Sequence, residues 1–411
     1  MKHIIAAALL LLLPGCPCPD DCPCRDDGGT DGSPADGDAD ADADAEGPTA
    51  VAVADVSSGM APLTVVFSGS ESVPGDAPIA SYSWDLGDGS APRTGIETTA
   101  VYLSAGEVTA VLTVTDENGL SDTDSVVVTV APEVCPTFLP DGVTTGIVAS
   151  AEIVEASGLA VSRRHDGVLW LHNDGGQPRF FALTPEGTHL GIFNLVGASG
   201  RDWEDMAIGP GPEPGVDYLY FGDVGDNNAN REGISIFRVQ EPDIEAAGGD
   251  VGSVDLTDYV RLDLVYPDRA HNCETVLLDP VTTDLYLVTK ENDGLTHVFR
   301  YPFPQDPGVV TTLVEVATLQ FGSGDLPGAT VTSAGDISPL GNQVAIRAYG
   351  QAYIWIRNGG ASIAEALAGT PCPVPIEPEP IGEAIAFSAD GLSYYTVSEG
   401  INQPIWHYVR Q

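Results

Sequence analysis

The residues of this chain with chemistry to offer are carboxylates that recur at matching places in a repeated strand pattern. Residues 201–228 read RDWEDMAIGPGPEPGVDYLYFGDVGDNN, in which two acid-rich loops flank two short apolar runs. Asp202, Glu204 and Asp205 precede the first run, and Asp223 and Asp226 follow the second. Residues 206–208 and 218–221 read as strands, and the Gly/Pro-rich segment between them as a turn, so the pair is a hairpin. A hairpin returns the chain to the side it left, which brings the two sets of acids to one edge. Acids this close raise one another's pKa unless a hard cation, protons or a few basic residues sit among them.

The same layout recurs along the C-terminal part of the chain. Hairpins begin at Ser157, Glu204, Glu274, Ala334 and Glu383, each followed by a turn, a second apolar run and a third strand. Their start positions carry Glu155, Glu204, Glu274 and Glu383; their end positions carry Asp174, Asp223, Asp226, Lys290, Arg347 and Glu399. An oxygen-only set of Glu204, Asp223, Asp226, Glu274 and Glu383 suits Ca2+. Zinc fits poorly, since no ligand spacing joins His172 and His271. The competing reading makes these acids caps for backbone amides and partners for basic residues. Lys290 sharpens that contest, because Lys2 and Lys290 are the only lysines and Lys290 stands beside Glu291; a salt bridge inside the ring is the favoured role.

A hydrolase would need more than acids. There is no G-x-S-x-G, H-E-x-x-H or phosphate loop. The catalytic candidates are Glu274 and Glu383, with Lys290 or Arg347 left to stabilise an anionic transition state. Binding at the acidic mouth is the leading expectation, and metal-dependent hydrolysis of a phosphoester or glycoside is the alternative.

Repeats of this kind, all β, predict a propeller over residues 135–411, with five blades, or six if the interval from Glu204 to Glu274 hides another. Residues 243–258 read as an inserted loop. Because the last blade ends with the chain, residues 146–155 are available as its outer strand, which closes the ring.

Sixty acids against sixteen basic residues give a net charge of -44, which repels nucleic acid and anionic lipid. Lys2 and an apolar run over residues 4–13 make a secretory signal across residues 1–15, too short to span a bilayer. It ends in Leu13-Pro14-Gly15-Cys16, which resembles a bacterial lipobox and makes Cys16 the lipidation site of an outer-membrane or cell-surface lipoprotein. Free secretion is the alternative. Residues 16–47, rich in Asp, Ala, Gly and Pro, predict a disordered acidic tether. Exported chains keep disulfides, and Cys135 with Cys372 would tie the start of the last domain to its final blade. The expected partner is a carbohydrate or protein outside the cytoplasm, with the lipid anchor as the only membrane contact and the chain a monomer.

Residues 48–131 change to short β-runs separated by turns, as in a small immunoglobulin-like sandwich. Residues 61–65 (APLTV), 81–89 (SYSWDLGDG) and 112–116 (LTVTD), followed by Asn118-Gly119, resemble the landmarks of a PKD domain, a spacer or adhesive module of surface proteins. That resemblance implies a core Trp84, with Asp85 and Asp88 fixing a turn. The propeller resembles exported bacterial propellers of the phytase-like and SdiA-regulated kind, through DWEDMA at 202–207, GDVGDN at 222–227 and GEAIAF at 382–387. The group includes calcium-dependent phosphohydrolases, which need several basic residues for phosphate, and this chain offers few.

Overall fold

The computed structural model describes residues 45–175, 177–244, 249–322 and 330–411. The signal segment, Cys16 and nearly all of the tether therefore lie outside the described residues. Among the described residues, no helix is long and apolar enough to cross a membrane.

The sandwich packs a three-stranded sheet against a five-stranded one. Its long hairpin, Gly106–Asp116 with Ser121–Ala131, alternates buried and exposed side chains along its first strand, the signature of a sheet with one face on a core. Trp84 is fully buried among Phe67, Leu112 and Val114, and its indole donates to the Gly95 carbonyl. Asp85 accepts from the Gly87 amide and Asp88 from the Ser90 amide, so both fix the turn. The strand Glu97–Tyr102 is one the short apolar runs did not announce.

The remainder is a ring of five sheets. The innermost strands are Ala156–Val161, Trp203–Pro210, Cys273–Leu278, Thr332–Ile337 and Gly382–Phe387. Each packs against the next and the fifth against the first, so among the described residues the ring closes with five blades and no sixth. Covered on both faces by neighbouring blades, these strands lose the alternation of a half-buried strand and read as small apolar runs. Two carboxylates stitch blade to blade: Asp205 accepts from the Met206 and Val276 amides, and Asp336 from those of Ile337 and Phe387. Asp205 is thus a core residue and not a mouth acid.

Three expectations need correcting. The outer strand of the last blade is Val143–Ile147, paired with Pro404–Val409, and starts earlier than residues 146–155. Part of the expected inserted loop, Ser253–Leu256, adds a parallel edge strand to the first blade. The Cys135–Cys372 disulfide, with Cα atoms 5.4 Å apart, reaches the outer strand of the fourth blade, because Cys372 precedes the inner strand of the fifth.

Leu103 and Ser104 of the sandwich line a cavity with Val281, Gly341 and Gly359, which lie in turns at the ends of the blades away from the strand starts. The linker residue Glu133 is buried and accepts from Asn342 and Arg410. The sandwich therefore sits on the base of the propeller, opposite the acidic edge.

Candidate functional site

All five inner strands break register at the same place, between Ala156 and Gly158, Trp203 and Asp205, Cys273 and Thr275, Thr332 and Ala334, and Gly382 and Ala384. A bulge re-aims the side chain of its extra residue. Those residues are Ser157, Glu204, Glu274, Ser333 and Glu383. The two serines donate to backbone carbonyls of the next blade, Ser157 to Glu204 and Ser333 to Gly382. The three glutamates are nearly inaccessible, and their fates differ.

Glu274 meets the Lys290 ammonium at 3.0 Å and accepts from Asn272 at 3.0 Å. Lys290 also donates to the Tyr349 hydroxyl at 2.8 Å, and Tyr349 donates to Glu383 at 2.9 Å. Burial alone would lower Lys290, but the Glu274 carboxylate and the Tyr349 hydroxyl override it and hold the ammonium charged. Burial raises Glu274, and Lys290 pulls against that rise. Glu399 shares a hydrogen bond with Glu383 and is raised, first by burial and then by that neighbour. Blades three to five thus carry one continuous polar chain.

Glu204 has no such partner. It is 3% exposed, and no described residue hydrogen-bonds its carboxyl group. Burial raises its pKa strongly, and the charges of Glu274, Asp174 and Asp202 raise it further. One oxygen each from Asp174, Asp202 and Glu204 lies within 4.8 Å of the others, a spacing one calcium ion spans at bond lengths of about 2.3–2.6 Å. The Oδ1 atom of Asp174 is also buried without a partner, and burial pushes this carboxyl up to about 6. Gly225 leaves room for the cluster: a Cβ there would lie 2.0 Å from Glu204 Oε1 and 2.5 Å from Asp202 Oδ2.

The expected metal set is therefore divided. Asp223 accepts from the Arg201 and Asp202 amides and pairs with Arg231 at 3.0 Å. Asp226 accepts from the Asn230 and Arg231 amides; both residues hold the loop in shape. Glu274 and Glu383 belong to the Lys290 and Tyr349 chain, which leaves Glu204 as the only one of the five with its carboxylate in the three-acid cluster. Arg347 is not at the mouth. It is fully buried, 2.8 Å from Glu379, and donates to the Ala384 carbonyl. His172 is enclosed by Trp203 and Phe221, where burial pulls its pKa down to about 4. His271 sits between Asp268 and Glu291.

Tyr349 and Gly225 were missed in the sequence, and Asp174 and Glu399 were noted only as end positions. A signal existed: the residue following the last paired position of the second strand is Asp174, Lys290, Tyr349 and Glu399 in blades one, three, four and five. Reading that register consistently selects Tyr349 over Arg347.

Residues 45–130 match the PKD domain family. Among solved structures, the PKD1 domain of the Vibrio cholerae metalloprotease PrtV is 34% identical over 21% of this chain and 98% of its own, with a TM-score of 0.19. The PKD1 domain of Vibrio anguillarum Epp is 27% identical over 22% of this chain and 99% of its own, with a TM-score of 0.19. A quinonprotein alcohol dehydrogenase-like protein from Bacteroides thetaiotaomicron is 10% identical over 86% of this chain and 93% of its own, with a TM-score of 0.29. A likeness at that level adds nothing to the blade count, which rests on the sheet order.

Proposed function

Residues 45–130 are a PKD domain, and from that premise we propose that the chain is an exported binding protein whose propeller recognises its ligand at a calcium-loaded acidic mouth. Cys16 carries the lipid anchor, the acidic segment serves as the tether, and the PKD domain holds the propeller by its base so that the mouth faces away. The partner is an extracellular or periplasmic carbohydrate or protein.

The observation that carries this reading is the convergence of Asp174, Asp202 and the buried Glu204, whose carboxyl group makes no hydrogen bond among the described residues. A lone buried carboxylate is costly, and a divalent cation is the occupant that relieves all three acids at once. Binding is favoured over hydrolysis because most basic residues that could serve the mouth are engaged, Lys290 by Glu274 and Tyr349, Arg347 by Glu379 and Arg231 by Asp223, which leaves the exposed Arg201 beside Asp202. A metal-dependent hydrolase needs a cation free to meet an anionic transition state.

Calcium titration calorimetry on the full chain tests the reading, with Glu204→Gln beside it. Saturable heat lost in the variant is the expected outcome. No heat from the folded wild-type chain would overturn it and leave these acids as structural groups.

A further inference from the structure

Away from the mouth, Arg238 on the strand Ile234–Gln240 of the second blade is 5% exposed. Arg231, Arg347 and Arg357 are comparably buried, and each has a carboxylate at 3.0 Å or less. Arg238 has none among the described residues. Its guanidinium lies over the Tyr218 ring, 5.7 Å from the centroid. Its hydrogen bond there is a long one of 3.5 Å to Gln305, while the nearby Tyr220 hydroxyl donates to the Pro210 carbonyl. In a chain with sixty acids and sixteen basic residues, a buried guanidinium without a carboxylate is an unmet charge.

The charge faces a space. A cavity of about 180 Å³ opens beside Arg238, with Tyr218 and Tyr259 among its walls and Glu213 and Asp258 in its lining. Neither acid approaches Arg238 closely enough to form an ion pair. We infer that this cavity at the base of the second blade binds a small monocarboxylate bearing a flat apolar group. The planar fork of a guanidinium matches a carboxylate through two parallel N–H donors, and the tyrosine rings suit an apolar or aromatic body. The two acids decide the charge of the ligand, because each repels a second negative group on it. Phosphate dianions and dicarboxylates are thereby disfavoured. The volume admits a compact molecule and not an extended one.

Calorimetry of the full chain with benzoate as the probe, and with succinate and inorganic phosphate alongside, tests this. Expected is saturable binding of benzoate, at least tenfold weaker binding of the other two, and loss of the benzoate heat in Arg238→Gln. The double change Glu213→Gln with Asp258→Asn should tighten benzoate by roughly three- to tenfold, the scale of removing two nearby like charges. Should Arg238→Gln fail to fold, the double variant decides alone. Equal binding of benzoate by Arg238→Gln, no tightening in the double variant, or equal affinity for phosphate would each overturn the inference. Binding of benzoate should persist in Glu204→Gln, which separates this site from the mouth.

Discussion

Glu204 and Glu274 occupy the same bulge in successive blades, yet one is left without a partner and the other is paired. The difference comes from the facing strand. In the third blade the residue after the last paired position is Lys290, which reaches Glu274. In the second blade it is Val224, buried and apolar. One repeat unit thus builds an ion-paired structural contact and its neighbour a carboxyl group without a counter-charge. An acid's position within a repeat does not determine its role; the residue set against it does. A related contrast separates Asp85 and Asp88 of the sandwich, which hold turns, from the acids of the propeller mouth.

That contrast can be broken most sharply at Lys290. Lys290→Met should leave Glu274 buried without its counter-charge and cost about 3–5 kcal/mol, the usual scale for removing one partner of a buried pair. Urea unfolding measures this, and a loss below about 1 kcal/mol would mean that Glu274 does not depend on the ammonium. Next in size, the two glutamates should respond with opposite signs in calcium-free buffer. Glu274→Gln should destabilise by about 2 kcal/mol, whereas Glu204→Gln should stabilise by about 1–2 kcal/mol, since it removes a carboxyl group that burial forces to take up a proton. Equal signs would remove the distinction between the two sites.

The interblade stitches supply a pH test of comparable size. Burial raises Asp336 to about 6, against the opposing charge of Arg163. Because the folded value exceeds the unfolded one, the fold favours the protonated form. Its contribution is therefore greatest below about pH 4 and is lost as the pH rises through about 6, an effect of roughly 2–3 kcal/mol. Asp336→Asn should flatten that segment of the stability profile, which denaturation at pH 4 and pH 7 would reveal. The smallest expected effect is at Gly225. Gly225→Ala should change metal-free stability by less than about 1 kcal/mol, because a flexible carboxylate can yield to the added methyl group, while abolishing the rise in Tm that calcium confers. Retained calcium stabilisation in this variant would place the ion elsewhere.

Much of the frame was legible from periodicity. The first hairpin, expected over residues 206–208 and 218–221, falls within Trp203–Pro210 and Asp217–Asp223. The five hairpin starts all fall in inner strands. Glu97–Tyr102 and Ser253–Leu256 are both edge strands that mix polar and apolar residues, so neither shows a sustained apolar run. Within the site, Glu204 was legible as an acid at a strand start. Its isolation was not, since that depends on Val224, Gly225 and two carboxylates that three separate strands bring together.

The sequence by itself determined the strongly negative net charge, the change from sandwich to propeller, and the edge on which acids gather, because these follow from composition and from the period of apolar residues. Only the tertiary structure decided which acids are partnered, that Arg347 points into the protein, and that Arg238 lacks a carboxylate among the described residues. The physical reason is distance. Electrostatic pairing operates over a few ångströms, and residues of neighbouring blades that come that close are tens of positions apart in the chain, where no local pattern records them.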